Sequence, residues 1–184
     1  VAKAPVFDDP SKFNFANDAD MAKLRPLMGS INAPGAAEKD AKAFIAWLDM
    51  QRQVDKSKKV GRQGYCKGGP LVVKTAATVP NRVGAGASFH GGGLVTKEPN
   101  SPHLQASKTK AQLLIAIASN DDMRSPDEKN ILKETFTKSG QPAEIEVYSG
   151  MHGWCPPDST VYNMPDAEKA WSRLLELYKK ALSS

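Results

Sequence analysis

Gly64-Tyr65-Cys66-Lys67-Gly68-Gly69 is the stretch of this sequence best suited to do chemistry. It falls between a strand-like and a helix-like segment, and Gly-x-nucleophile-x-Gly at such a junction is the pattern of a nucleophile elbow. The sharp turn lifts the nucleophile above the sheet. Glycines two residues before and after it remove side chains that would collide with the adjoining strand and helix. The helix starting there aims its first amides at the site, which favours a thiolate or a developing oxyanion. A cysteine without such a setting is usually a buried, inert thiol; the flanking glycines favour Cys66 as a nucleophile.

A thiol nucleophile needs a base, and the base needs a group to orient it. Asn120-Asp121-Asp122 follows directly on an apolar run, and His152, in Gly150-Met151-His152-Gly153-Trp154, is the histidine that comes after the last strand. Asp121 is the preferred acid, with Asp122 left open. The competing readings are a loop pair of aspartates that caps a helix or meets solvent, and a satisfied loop histidine.

The elements that must position these groups alternate. Residues 1–35 read as irregular, with a short helix closed by Gly29. Ala41, Phe44, Ile45 and Leu48 predict one buried helical stripe. Strands are expected at 59–65, 82–89, 112–119 and 143–148, the third apolar enough to be covered on both faces. Between them lie a helix carrying Leu71, Val72, Val73 and Ala76, and one capped by Ser125, Pro126 and Glu128 that turns Ile131, Leu132 and Phe136 inward. A closing helix over 165–182 is expected to bury Ala167, Trp171, Leu174, Leu175, Tyr178 and Leu182. This order predicts an α/β fold, a mostly parallel sheet with helices on both faces. Chemistry in such sheets gathers beyond the carboxyl ends of the strands.

Composition sets bounds. The 184 residues are 40% hydrophobic and 24% charged, which fits one folded domain over 1–184 and excludes a disordered chain. No run reaches the roughly 20 apolar residues of a membrane span. The net charge of +5 is scattered, with its densest cluster at Lys56, Lys58, Lys59 and Arg62, and without aromatic interleaving it predicts no nucleic-acid partner. Two cysteines make neither a disulfide framework nor a cysteine-built zinc site, so a reducing, cytoplasmic setting is expected. The three histidines lie far apart, and neither a metal nor a cofactor is predicted.

The elbow, the acid loop Ala118-Ser119-Asn120-Asp121, and Glu144-Ile145-Glu146-Val147-Tyr148 leading to His152-Gly153-Trp154 resemble the dienelactone hydrolases (carboxymethylenebutenolidases) of the α/β-hydrolase superfamily. Pro157-Asp158-Ser159, Tyr162-Asn163 and Ala167-Glu168-Lys169-Ala170-Trp171 share that look. The resemblance implies a Cys66-His152-Asp121 triad that cleaves small esters or lactones through a thioester, with the Lys67 backbone N–H as an oxyanion donor. It needs no cofactor and takes a small-molecule substrate. A non-catalytic binding or interaction protein on the same fold is the alternative.

The sequence also departs from that family. No residue matches the early strands, the early glutamate or the early substrate-binding arginine, so the chain is expected to be incomplete at its amino end. Pro156-Pro157 stands where a second arginine would follow the histidine. His90-Gly91-Gly92-Gly93 resembles the oxyanion motif of lipases but follows the nucleophile instead of preceding it. It reads as a glycine-rich strand exit with His90 outside the chemistry. His103 is expected on the surface. Cys155 is expected to be a packed or pocket-lining thiol, with a redox partnership to Cys66 as the lesser reading.

Overall fold

The central strand sorts its side chains between two helical layers. In the computed structural model, which describes residues 6–8, 17–141 and 143–183, β3 (Gln112–Ile117) alternates across the sheet. Leu113, Ile115 and Ile117 join one core, with Val73, Ala76, Leu132 and Phe136. Leu114, Ala116 and Ala118 join the other, with Phe89, Tyr148, Trp154, Ala170 and Leu174. Each large aliphatic side chain buried this way stabilises the fold by about 1.5–3 kcal/mol.

The described residues form one four-stranded parallel sheet, in the order β1 (Val60–Tyr65), β2 (Val83–Phe89), β3, β4 (Ala143–Val147). α3 (Gly68–Thr78) and α5 (Glu128–Lys138) pack on one face and α6 (Met164–Leu182) on the other, as the alternating pattern predicts. The register is what makes a site. Tyr65 pairs Phe89, Phe89 pairs Ala116, and Ile117 pairs Val147, so the strand exits reach one edge level with each other. Beyond them the ladder continues through Cys66 N–H to Phe89 O, His90 N–H to Ala116 O and Tyr148 N–H to Ile117 O.

Contacts divide the chain into two units, Val1–Asp40 and Ala41–Ser184. Within the first, Asp18–Asn32 is a helix, α1, where an irregular stretch with a helix ending at Gly29 was expected. Asn17 caps it by accepting from the Ala19 and Asp20 N–H groups, and Asp18 and Asp20 favour its first turn electrostatically. Residues 1–5 and 9–16 of the segment expected to be irregular lie outside the described residues.

Four side-chain expectations, in three helices, are corrected. In α2 (Ala36–Asp49) Ala41 is buried and Ile45 and Leu48 are half-buried, but Phe44 is 64% exposed. In α6 the buried line is Asp166, Ala170, Leu174 and Ala181, while Trp171 and Leu175, one step around the helix, are 54% and 48% exposed. In α5 Ile131 is exposed, leaving Leu132 and Phe136 to fill the core.

The Ser-x-x-Glu capping box does not form. Asp121 and Asp122 sit in a short helix of their own, α4 (Ser119–Arg124), which Ser125 closes by donating its N–H to Asp121 O. α5 then starts at Glu128, whose carboxyl accepts instead from the Leu94 and Val95 backbone N–H groups. A helix end immediately upstream claimed Ser125, so the local motif lost to its neighbour.

Candidate active site

Cys66 holds φ at +47°, a left-handed conformation that side chains rarely adopt. Such strain costs about 1–3 kcal/mol and persists where the surroundings impose it. Here the imposing contacts are visible. Gly69 N–H donates to Cys66 O at 3.0 Å, and a β-carbon on Gly64 would sit 2.4 Å from Gly68 O. A β-carbon on Gly69 would meet Ser88 Oγ at 2.4 Å and the Gly91 α-carbon at 2.7 Å. Gly68 behaves otherwise: a β-carbon there meets nothing within 4 Å. The close packing after the elbow therefore depends on Gly69, three residues past the cysteine, and the steric role expected of Gly68 is not present.

His152 arrives on the loop after β4 and meets both partners. Its Nδ1 lies 2.5 Å from Asp121 Oδ2, and its ring hydrogen-bonds the Cys66 thiol. The bond to Cys66, then that to Asp121, raises the imidazole to about 9 against the opposition of burial. The same His152 contact, helped by the Lys67 backbone N–H, holds the Cys66 thiol below its usual range, again against burial. The largest cause of each shift is the contact with the other group: the imidazole favours the ionised form of the thiol, and the sulfur favours the charged form of the imidazole.

Asp121 and Asp122 part company. Asp122 turns to Lys129, whose Nζ stands 2.7 Å and 2.8 Å from its two oxygens. Asp121 alone of the two reaches His152, with Arg124 Nη1 3.7 Å from its other oxygen. Lys67, immediately before α3, places its backbone N–H at the sulfur, where an oxyanion donor is expected.

Several groups that hold the site escaped the sequence reading. Asn120 Oδ1 accepts the His152 backbone N–H at 2.7 Å. Asp166, buried on α6, accepts from Gly150 N–H at 2.6 Å and Ser149 Oγ at 2.8 Å, pinning the loop two residues before His152. An aspartate in the first turn of an amphipathic helix reads as a dipole partner, and nothing local marks it as an anchor. His90, expected outside the chemistry, is 2% exposed and packs its ring against that of His152, centroid to centroid 5.1 Å. His103 is not a surface loop residue: it lies half-buried in a 3₁₀ turn, Nδ1 2.8 Å from Ser101 Oγ.

A cavity of about 310 Å³ opens beside the elbow, with Tyr65, Phe89, Cys155, Pro156, Pro157 and Trp171 among its walls. Every lining side chain is uncharged, and burial pushes the Cys155 thiol up to about 12, so it stays protonated. Both cysteines are free thiols. Among the described residues no cluster of three His, Cys, Asp or Glu side chains could hold a metal ion, and no helix is long and apolar enough to cross a membrane.

A parallel sheet with helices on both faces, an elbow at one strand exit and acid and histidine at two later ones make this an α/β-hydrolase fold. The comparisons agree. The sequence matches the Dienelactone hydrolase family over residues 13–182. It is 28% identical over 185 residues to Protein usf of Aquifex pyrophilus, covering all of this chain and 76% of that protein. To the carboxymethylenebutenolidase of Rhodococcus opacus it is 28% identical over 147 residues, 76% of this chain and 58% of the other. The solved structure m3DLH superposes with a TM-score of 0.74 at 20% identity, covering 89% of this chain and 69% of that one, a likeness of fold. The chain belongs to the dienelactone hydrolase family.

Proposed function

We propose that this chain supplies the reacting groups of a hydrolase that cleaves small esters or lactones through a cysteine acyl-enzyme. The observation that carries the reading is the hydrogen-bonded line from Cys66 to His152 to Asp121, with the thiol lowered and the imidazole raised across it. The thiolate attacks the carbonyl carbon, and the resulting oxyanion is received by the Lys67 N–H at the start of α3. His152 then gives its proton to the leaving alkoxide as the thioester forms. In the second half His152 takes a proton from water, the hydroxide adds to the thioester, and the acid leaves as Cys66 is restored. Asp121 holds the imidazole in the required tautomer and stabilises its charge.

The uncharged cavity beside Tyr65 favours a neutral substrate group, since a carboxylate placed there would lose its water without gaining a cationic partner. The chain spans 76% and 58% of the two curated relatives described above, so these roles are proposed for the whole protein that carries it.

Mass spectrometry after rapid quenching with a slow chromogenic ester tests the reading. An acyl adduct on Cys66, absent from Cys66→Ala along with turnover, is expected. Wild-type turnover by Cys66→Ala would sink it. An unreactive thiol combined with tight ligand binding would favour a binding protein on the same fold.

A further inference from the structure

His90 is held from both sides. Its backbone N–H donates to Ala116 O at 2.8 Å, at the end of the β2–β3 ladder. Its Nδ1 accepts from the Cys66 backbone N–H at 3.2 Å, a donor shared with Phe89 O at 3.1 Å. Because Nδ1 accepts, the ring proton of the neutral imidazole belongs on Nε2. That nitrogen is buried and has no hydrogen-bond partner among the described residues. The ring stands edge-on to His152 at 5.1 Å and to Trp154 at 5.6 Å. His90 also holds φ at +41°, so the two non-glycine residues with positive φ among the described residues are bonded to each other.

A side chain kept in a strained backbone conformation, with one polar atom unpartnered, costs stability that packing alone would not require. What it gains is a contact on each half of the reacting pair. We infer that His90 is a positioning residue for the hydrolytic site, its Nδ1 fixing the elbow through the Cys66 N–H while its ring seats His152, so that sulfur and imidazole meet. This rests on the reading of Cys66 and His152 as the reacting pair. Burial, and then the neighbouring His152, pushes the His90 imidazole down to about 4, so the acceptor is kept at neutral pH.

The geometry names the variants that separate acceptor from bulk. Asn at position 90 puts an amide oxygen where Nδ1 now lies and tolerates positive φ. Leu keeps comparable volume without an acceptor, and Gln carries its amide to the Nε2 position instead. The readout is the pH dependence of Cys66 alkylation by iodoacetamide, which needs no turnover, with circular dichroism to establish folding. His90→Asn is expected to alkylate within about threefold of wild type. His90→Leu is expected to move the alkylation profile of Cys66 about one pH unit upward, so that alkylation is about tenfold slower on the acid side of the wild-type midpoint. His90→Gln should follow Leu, and it stands in if the Leu variant does not fold. Wild-type profiles in folded Leu or Gln variants would overturn the inference. So would an Asn variant as slow as the other two, because bulk or the aromatic ring would then be what matters. Failure of the hydrolase reading shows elsewhere, as ester turnover that survives Cys66→Ala.

Discussion

Asp121 Oδ2 stands 2.5 Å from His152 Nδ1, while the adjacent Asp122 is bound to Lys129. Two consecutive carboxylates thus do different work because one helical step turns them apart. Asp121→Asn should lower kcat by about 10²–10⁴, since the amide offers the imidazole the wrong tautomer. Asp122→Asn should cost less than about threefold in kcat but about 1–3 kcal/mol of stability, because Lys129 loses the charged acceptor of a half-buried pair. Steady-state kinetics on both variants with one ester decides it; equal small losses would remove Asp121 from the proposed role.

The pH profile follows from the two shifts. The Cys66 pKa is lowered, so thiolate is present above that lowered value and lost only as pH falls through it. The His152 pKa is raised to about 9, so imidazolium is present below that value and lost above it. A bell-shaped kcat/KM is expected, its alkaline limb near pH 9 and its acid limb below the usual thiol pKa of about 8.5. His152→Ala should return the alkylation profile of Cys66 to that of an ordinary thiol.

Asp166 predicts a coupling between helix α6 and the histidine loop. Asp166→Ala leaves the Gly150 N–H and the Ser149 hydroxyl without their acceptor. Loss of about 1–3 kcal/mol in urea melts is expected, together with a fall in kcat. Asp166→Asn, which retains an acceptor oxygen, should recover much of both. Unchanged kcat in a destabilised alanine variant would show that the loop keeps its place unaided.

The glycines around the elbow separate cleanly. Gly64→Ala places a β-carbon 2.4 Å from the backbone oxygen of Gly68 and should destabilise by at least about 1–3 kcal/mol. Gly68→Ala meets open space and should stay within about 0.5 kcal/mol of the parent. Denaturant titration of the two variants measures the contrast.

Much of this site was legible before any coordinates. Gly64 and Gly69 mark the elbow because steric exclusion beside a sharp turn writes itself into nearby residues, whereas Gly68 meets open space. β3 was legible for another reason, as a short continuous apolar run of the kind a strand covered on both faces requires. Asp121 was preferred over Asp122 without a local reason, and the contact of Asp121 with His152 comes from helix α4, which was read as loop. His90 and Asp166 were missed as supports of the site because their partners lie 24 and 16 residues away, at the Cys66 and Gly150 amides. Trp171 and Leu175 were assigned inward because an amphipathic pattern gives a face about 100° wide, and the sheet uses only part of it.

β3 carries a further implication for anyone engineering this chain. Its last residue, Ile117, leans into one core, the next, Ala118, leans into the other, and Asp121 follows within a single turn. The carboxylate is therefore mounted on a beam clamped from above and below. A cavity cut into either layer would tilt that beam, so repacking meant only to raise melting temperature should be screened first for how well the acid still aims.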